Sequence, residues 1–222
     1  MKMKTLKVWA FAWGGLGVLP LMGGEWRDLF DGKSLQGWTF DVLDDSDPAE
    51  IFSVREGVID INGAGRSNGV MRTTESFADF EIRFEWRWPG EPGNSGCLIY
   101  CSEPRFMNVW PKSVEVQVQH TNAGDLISIG EDVQVPAPQR LVVIPAKEKW
   151  KVRLRPNSTD DSEHPPGDWN KMHIVARDGR VTVTVNDVVV NRGYDLTARS
   201  GQICFQAEKA HVQYRSVQVK VD

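Results

Sequence analysis

The stretch SVEVQVQH, from Ser113 to His120, alternates strictly between apolar and polar residues. At the two-residue period of a strand, Val114, Val116 and Val118 point to one side, and Glu115, Gln117 and Gln119 to the other. The valine side reads as core. The other side is a ladder of one carboxylate and two amides, fixed acceptors and donors at the spacing of sugar hydroxyls. Glu115 has the chemistry of an acid or a base, and Gln117 that of a hydroxyl-binding amide. Further polar groups surround the ladder: Lys112 just before it, His120 at its end with the parity of the valines, then Asn122 and Asp125 in the small polar run TNAGD. Trp110, in the loop feeding the strand, offers either a ring face for stacking or a buried anchor. Upstream, Asn94 and Ser95 in the tight loop PGEPGNSG either bond a ligand or cap the turn. The competing reading of the whole ladder is a solvated sheet face.

Several chemistries are set aside by what is missing. Ser95 lacks the Gly-x-Ser-x-Gly elbow of a hydrolase nucleophile. A retaining glucanase needs two carboxylates roughly 5 Å apart, whereas EVQVQ supplies one. No close-spaced His pair marks a metal site, which leaves only His120 with Asp125 as a lead. No cofactor is evident, and a divalent metal is left without assigned ligands. The acid-rich run DVLDDSDPAE lacks the Asp-x-Asp-x-Asp-Gly spacing of a calcium loop and reads as a solvated loop or short helix cap.

The elements that must position these groups are strands. FSVREGVIDIN reads as a hairpin around Glu56-Gly57, and a further strand follows near Val70 to Thr73. In FEIRFEWRW, Ile82, Phe84, Trp86 and Trp88 oppose Glu81, Arg83, Glu85 and Arg87, an aromatic core face backed by a ladder of opposite charges. CLIYC, LISIG and KWKVRLR continue the pattern. MHIVAR, RVTVTV and VVVN are joined by Asp178-Gly179 and Asn186-Asp187, pairs that tolerate the positive φ of hairpin turns. GQICFQ and HVQYRSVQVKV close the chain. About a dozen strands with turn signals, no internal repeat, no linker and no convincing helix predict an all-β, two-sheet antiparallel sandwich of jelly-roll type. One domain over residues 25–222 accounts for the length.

Residues 1–24 stand apart: Lys2, Lys4 and Lys7 precede an apolar run from Val8 to Leu21, with no acidic residue before Glu25. This is the pattern of a signal peptide, and a secreted or periplasmic protein is expected; an uncleaved anchor is the alternative. Without those three lysines the 26 Lys and Arg fall to 23 against 30 Asp and Glu, a net charge of about −7. An acidic domain argues against nucleic acid or an anionic membrane as partner and suits a neutral ligand. Cys97 and Cys101, four apart on one strand, stand roughly 13 Å from each other and cannot bridge there. Either one could pair with Cys204, or all three are buried thiols.

Six blocks carry a resemblance to a known family: WRDLFDGKSLQGW, RTTESFADFEIRFEWRWPGEPGNSG, VWPKSVEVQVQHTNAGD, PPGDWN, VTVTVNDVVVN and GQICFQAE. They resemble the secreted 3-keto-disaccharide hydrolase domain family, formerly a domain of unknown function, over nearly all of the chain after residue 24. The resemblance implies a concanavalin A-like jelly roll whose concave sheet holds a sugar. Trp110, Lys112, Glu115, Gln117, Asn122 and Asp125 fall on blocks similar to a subgroup with a WPKS, EVQ, NAGD pattern. Many members carry an Arg at the end of the strand after Asn-Ser-Gly and an Asp soon after the Glu-x-Gln pair. Here Cys101 and the His120 to Asn122 region take those places.

The activity this implies is cleavage of glycosides oxidised at C3. A ketone there acidifies the C2 proton, so the glycosidic oxygen leaves by elimination and water adds afterward. Such a site needs an acid/base, for which Glu115 is the candidate with His120 as partner, and positive charge for the enolate, from Lys112, Arg72 or a bound metal. The alternative, from a different class, is a non-catalytic, lectin-like carbohydrate-binding module, since the same fold serves both. An adhesive surface protein is the third reading.

Overall fold

The structure, a computed structural model, describes residues 23–44, 46–137, 141–145, 151–159 and 162–221. They form sixteen strands: β1 (Arg27–Asp28), β2 (Trp38–Val42), β3 (Phe52–Arg55), β4 (Val58–Asn62), β5 (Gly69–Thr73), β6 (Phe80–Arg87), β7 (Gly96–Cys101) and β8 (Ser113–Gln117) come first. After them follow β9 (Leu126–Ile129), β10 (Val142–Pro145), β11 (Lys151–Arg155), β12 (Asn170–Arg177), β13 (Arg180–Val185), β14 (Val188–Gly193), β15 (Gln202–Ala207) and β16 (His211–Val221). A short 3₁₀ turn at Pro48–Glu50, capped by the Asp47 carboxylate accepting from the Ala49 N–H, accounts for the acid-rich run. Apart from Gly23 and Gly24, the expected signal peptide lies outside the described residues. Among the described residues no helix is long and apolar enough to cross a membrane.

The strands pair into two antiparallel sheets of eight. The first runs β14-β13-β12-β6-β16-β4-β3, with β1 on β16; the second runs β10-β11-β9-β8-β7-β15-β5-β2. Three two-residue hairpins stand where the sequence places them, and all six central residues have positive φ: Glu56 and Gly57, Asp178 and Gly179, Asn186 and Asp187. That backbone matches the twist of the strands it joins, so these turns set the registers of the first sheet locally.

Between the sheets lies one large apolar cluster, which includes Ile82, Phe84 and Trp86 of β6 and Val114, Val116 and Val118 around β8. On the back of β6 the expected charge ladder is present. Arg83 and Arg87 donate to Gln218 and Gln213 of β16, and Arg215 donates to Glu85. Glu81 departs from it: its carboxylate is fully buried between His173 and Lys220, beneath the Trp26 ring. The N-terminal segment therefore covers part of this face as well as pairing with β16.

The second sheet carries a further apolar cluster on its outer side, made of Val70, Leu98, Cys101, Val109, Trp110, Ile129 and Cys204. The loop from residue 102 to 112 lies on that side, and Arg105 reaches across to the Asp41 carboxylate and the Val42 carbonyl on β2. The ladder face of β8 is therefore not a solvated one. Glu115 and Gln117 are only 4% and 5% exposed. All three cysteines are buried free thiols; Cys101 and Cys204 belong to the outer cluster, and Cys97 to the inter-sheet core.

Candidate functional site

Antiparallel partners share a face, so the registers assemble the site row by row. Glu115 of β8 stands opposite Leu98 of β7, which stands opposite Cys204 of β15; just before β7, Asn94 bridges to Glu208. Between those rows lie Gly96, opposite Gln117, and Gln206. Glu115, Gln117, Asn94, Gln206 and Glu208 thus converge on one polar patch around Gly96, with the apolar cluster on its far side.

Gly96 is what makes room for this. A β-carbon there would overlap the Glu115 carboxylate and crowd the Gln206 amide oxygen. Gly96→Ala is therefore expected to displace the carboxylate while leaving the fold in place, because the clashing atom is a side-chain terminus. Thermal melts and turnover on the same sample check this: a variant with unchanged turnover would show that the carboxylate position is unimportant.

The electrostatics of the patch are those of an acid store. Burial pushes the Glu115 carboxyl up to about 8, the nearby Glu208 charge adds to the rise, and a hydrogen bond from the Gln206 side chain opposes it. Glu208 is itself raised, mainly by burial, against the pull of Lys209. Its carboxylate accepts a 3.0 Å hydrogen bond from Asn94 Nδ2. Asn94 Oδ1 and Gln206 Oε1 are buried acceptors without a protein donor among the described residues. Ligand hydroxyls are the donors such oxygens lack. Gln117 is partly used up: its Oε1 accepts from the backbone N–H groups of Val118 and Gln119.

The remaining sequence-predicted residues fall elsewhere. His120, beyond the end of β8, turns to Glu163 instead, Nδ1 to Oε2 at 3.1 Å. Asp125 joins that second group; its carboxyl is pushed up to about 6 by burial, with the Asn157 N–H opposing and the Glu163 charge adding to the rise. Asn122 donates to Gln119 Oε1. Lys112 sits at the start of β8 and pairs with Glu131 at 3.3 Å, so it is engaged away from Glu115. Arg72 shares the row of Glu115 but is three strands away, about 14 Å at sheet spacing, and bonds Thr39. Trp110 is 6% exposed within the outer apolar cluster, which is the anchor arrangement and leaves no open ring face. Among the described residues no group of three or more His, Cys, Asp or Glu side chains is arranged to hold a metal.

Asn94 and Ser95 cap no turn: Asn94 holds Glu208, and Ser95 Oγ donates to the Gln206 carbonyl and bonds the Tyr214 hydroxyl. The two groups missed from sequence are Gln206 and Glu208. The signal for them was the alternation in GQICFQAE, where Gln202, Cys204, Gln206 and Glu208 share a parity, but nothing local says that β15 lies beside β7.

Residues 25–220 match the model of the 3-keto-alpha-glucoside-1,2-lyase-like domain family. The chain belongs to this family. No curated protein matches it. Among solved structures, this lyase-like domain is similar to a Parabacteroides distasonis protein assigned as a glycosyl hydrolase, at 22% identity over 89% of this chain and 94% of that one, TM-score 0.61. It is also similar to the carbohydrate-binding module CBM66 of Bacillus subtilis, at 10% identity over 83% and 96%, TM-score 0.57. The kappa-carrageenase of Pseudoalteromonas carrageenovora, solved with an oligotetrasaccharide, matches at 11% identity over 95% and 99%, TM-score 0.54. At these identities the likeness establishes the jelly-roll fold, which carries both catalytic and binding proteins.

Proposed function

We propose that this lyase-like domain is a secreted or periplasmic carbohydrate-active enzyme that cleaves 3-keto-glycosides, with Glu115 as acid and Glu208 as base. The observation that carries this reading is the meeting on one patch of a buried carboxyl, Glu115, with a half-buried one, Glu208, which Asn94 holds in place. Two carboxyls in such an arrangement divide into acid and base because their charges disfavour joint ionisation.

In the proposed step the Glu208 carboxylate takes the C2 proton, acidified by the adjacent C3 ketone. The C2–H electrons form the C1=C2 double bond as the C1–O bond breaks, and the Glu115 proton passes to the leaving oxygen. Water then adds to the resulting enone. Asn94 holds the base through Nδ2, and the free oxygens of Asn94 and Gln206 accept sugar hydroxyls. The family's lyase-like description supports elimination over direct displacement.

One observation weighs against catalysis at this patch and leaves the binding module as the second reading: Glu115 and Gln117 are almost closed to solvent, and Gln117 turns its amide oxygen onto its own backbone. Purified protein incubated side by side with 3-keto and ordinary glucosides separates the readings. Enone or released aglycone from the keto substrate alone is expected. Equal cleavage of both would overturn the keto requirement, and binding without turnover of either would establish the module.

A further inference from the structure

A second group of polar side chains gathers at one end of the sandwich, away from the Glu115 patch. Here the β12–β13 turn, Asp178-Gly179, meets the segment entering β6 and the link from β14 to β15. The Asp178 N–H donates to Asp79 Oδ1, the Leu196 N–H donates to the Gly179 carbonyl, and Phe77 and Gly201 exchange backbone hydrogen bonds. The Arg199 guanidinium lies directly over Gly179, where any β-carbon would collide with it. On either side of this arginine opens a cleft, one of about 350 Å³ reaching Asp79 and Tyr100, the other of about 260 Å³ reaching Tyr194.

Tyr100 is the residue that distinguishes this place from an ordinary charged turn. A β-bulge in the β7–β15 pairing sets Ile99 and Tyr100 together opposite Ile203, and Tyr100 takes φ of +58°, unusual for a bulky side chain. Without the bulge its parity would put it on the outer face with Leu98. With the bulge, the ring enters the inter-sheet core against Phe80 and is 2% exposed. The charges that act on its hydroxyl are those of Asp79, Arg199 and Asp178, the groups lining the first cleft.

From this convergence we infer that the end cleft is a second, non-catalytic binding site for a neutral carbohydrate. A polyhydroxylated ligand needs acceptors and donors side by side. Asp79 and Asp178 accept, Arg199 donates, and the Tyr100 hydroxyl does either. An anion would meet the aspartates, and a cation the arginine. The ligand class rests on the carbohydrate reading of the family; the site itself does not use Glu115 or Glu208.

The test uses the full chain with maltotriose and cellotriose as probes, followed by calorimetry and by the amide resonances of Gly179 and Leu196. One of the trisaccharides is expected to shift both resonances. Tyr100→Phe, which keeps the ring, and the exposed-site variant Arg199→Ala should each weaken that binding at least tenfold while leaving 3-keto-glycoside turnover unchanged. Glu115→Gln should leave the binding intact. The proposal is overturned if neither sugar moves these resonances, if calcium chloride alone moves them, or if binding is lost in Glu115→Gln but kept in both end-cleft variants. Absence of turnover in the parent protein with end-cleft binding retained would overturn the enzyme reading and leave this site standing.

Discussion

Replacing Glu115 by Gln is expected to lower turnover of a 3-keto glycoside by about 10²-fold or more, since Gln keeps the shape but has no proton to give. The same residue predicts the pH dependence. Its carboxyl titrates near 8 in the folded protein against an ordinary value of 4.5, so the acid form, and with it catalysis, is lost as pH rises through about 8. For stability the sign runs the same way. A raised folded value means that the folded state holds a proton the unfolded chain has released, so the contribution is complete below about 4.5 and declines up to about 8. The slope is about 1.4 kcal/mol per pH unit in that window. The amide introduced by Glu115→Gln mimics the protonated side chain at every pH. The melting temperatures of parent and variant should therefore agree near pH 4.5 and diverge above it, with the parent falling behind. Parallel curves from about pH 5 to 9 would show that Glu115 is ionised in the folded protein, and near-normal turnover would remove it as the acid.

Replacing Trp110 by Ala is expected to destabilise the fold by about 3–5 kcal/mol, the usual cost of emptying a buried aromatic site. The ring belongs to an apolar cluster with Val70, Leu98, Cys101, Ile129 and Cys204, which carries the 102–112 loop on the outer side of the second sheet. Its backbone is fixed as well, through reciprocal hydrogen bonds with Met107. Denaturant melts measure the loss directly. A folded, equally stable variant that bound sugar more weakly would instead restore the stacking role that the sequence left open for this ring.

Period-two alternation made most of the strands legible: FEIRFEWRW, SVEVQVQH and RVTVTV each show which residues face the core, because a strand places successive side chains on opposite sides. The three two-residue turns were equally legible, since positive φ at both central positions is a local requirement that Glu-Gly, Asp-Gly and Asn-Asp meet. Glu115 stood out for the same local reason, a carboxylate of known parity. Alternation says nothing about which strands lie side by side. That Glu115 shares a sheet face with Glu208, far away in the chain, depends on β15 lying two strands from β8, which no local pattern encodes. The same holds for His120, whose partner Glu163 comes from a loop, and for Lys112, whose nearness to Glu115 in sequence is undone by the strand direction. Burial decided the rest. A solvated ladder face stayed open as a reading because alternation cannot show what packs over a strand, yet burial is what pushes the Glu115 carboxyl up.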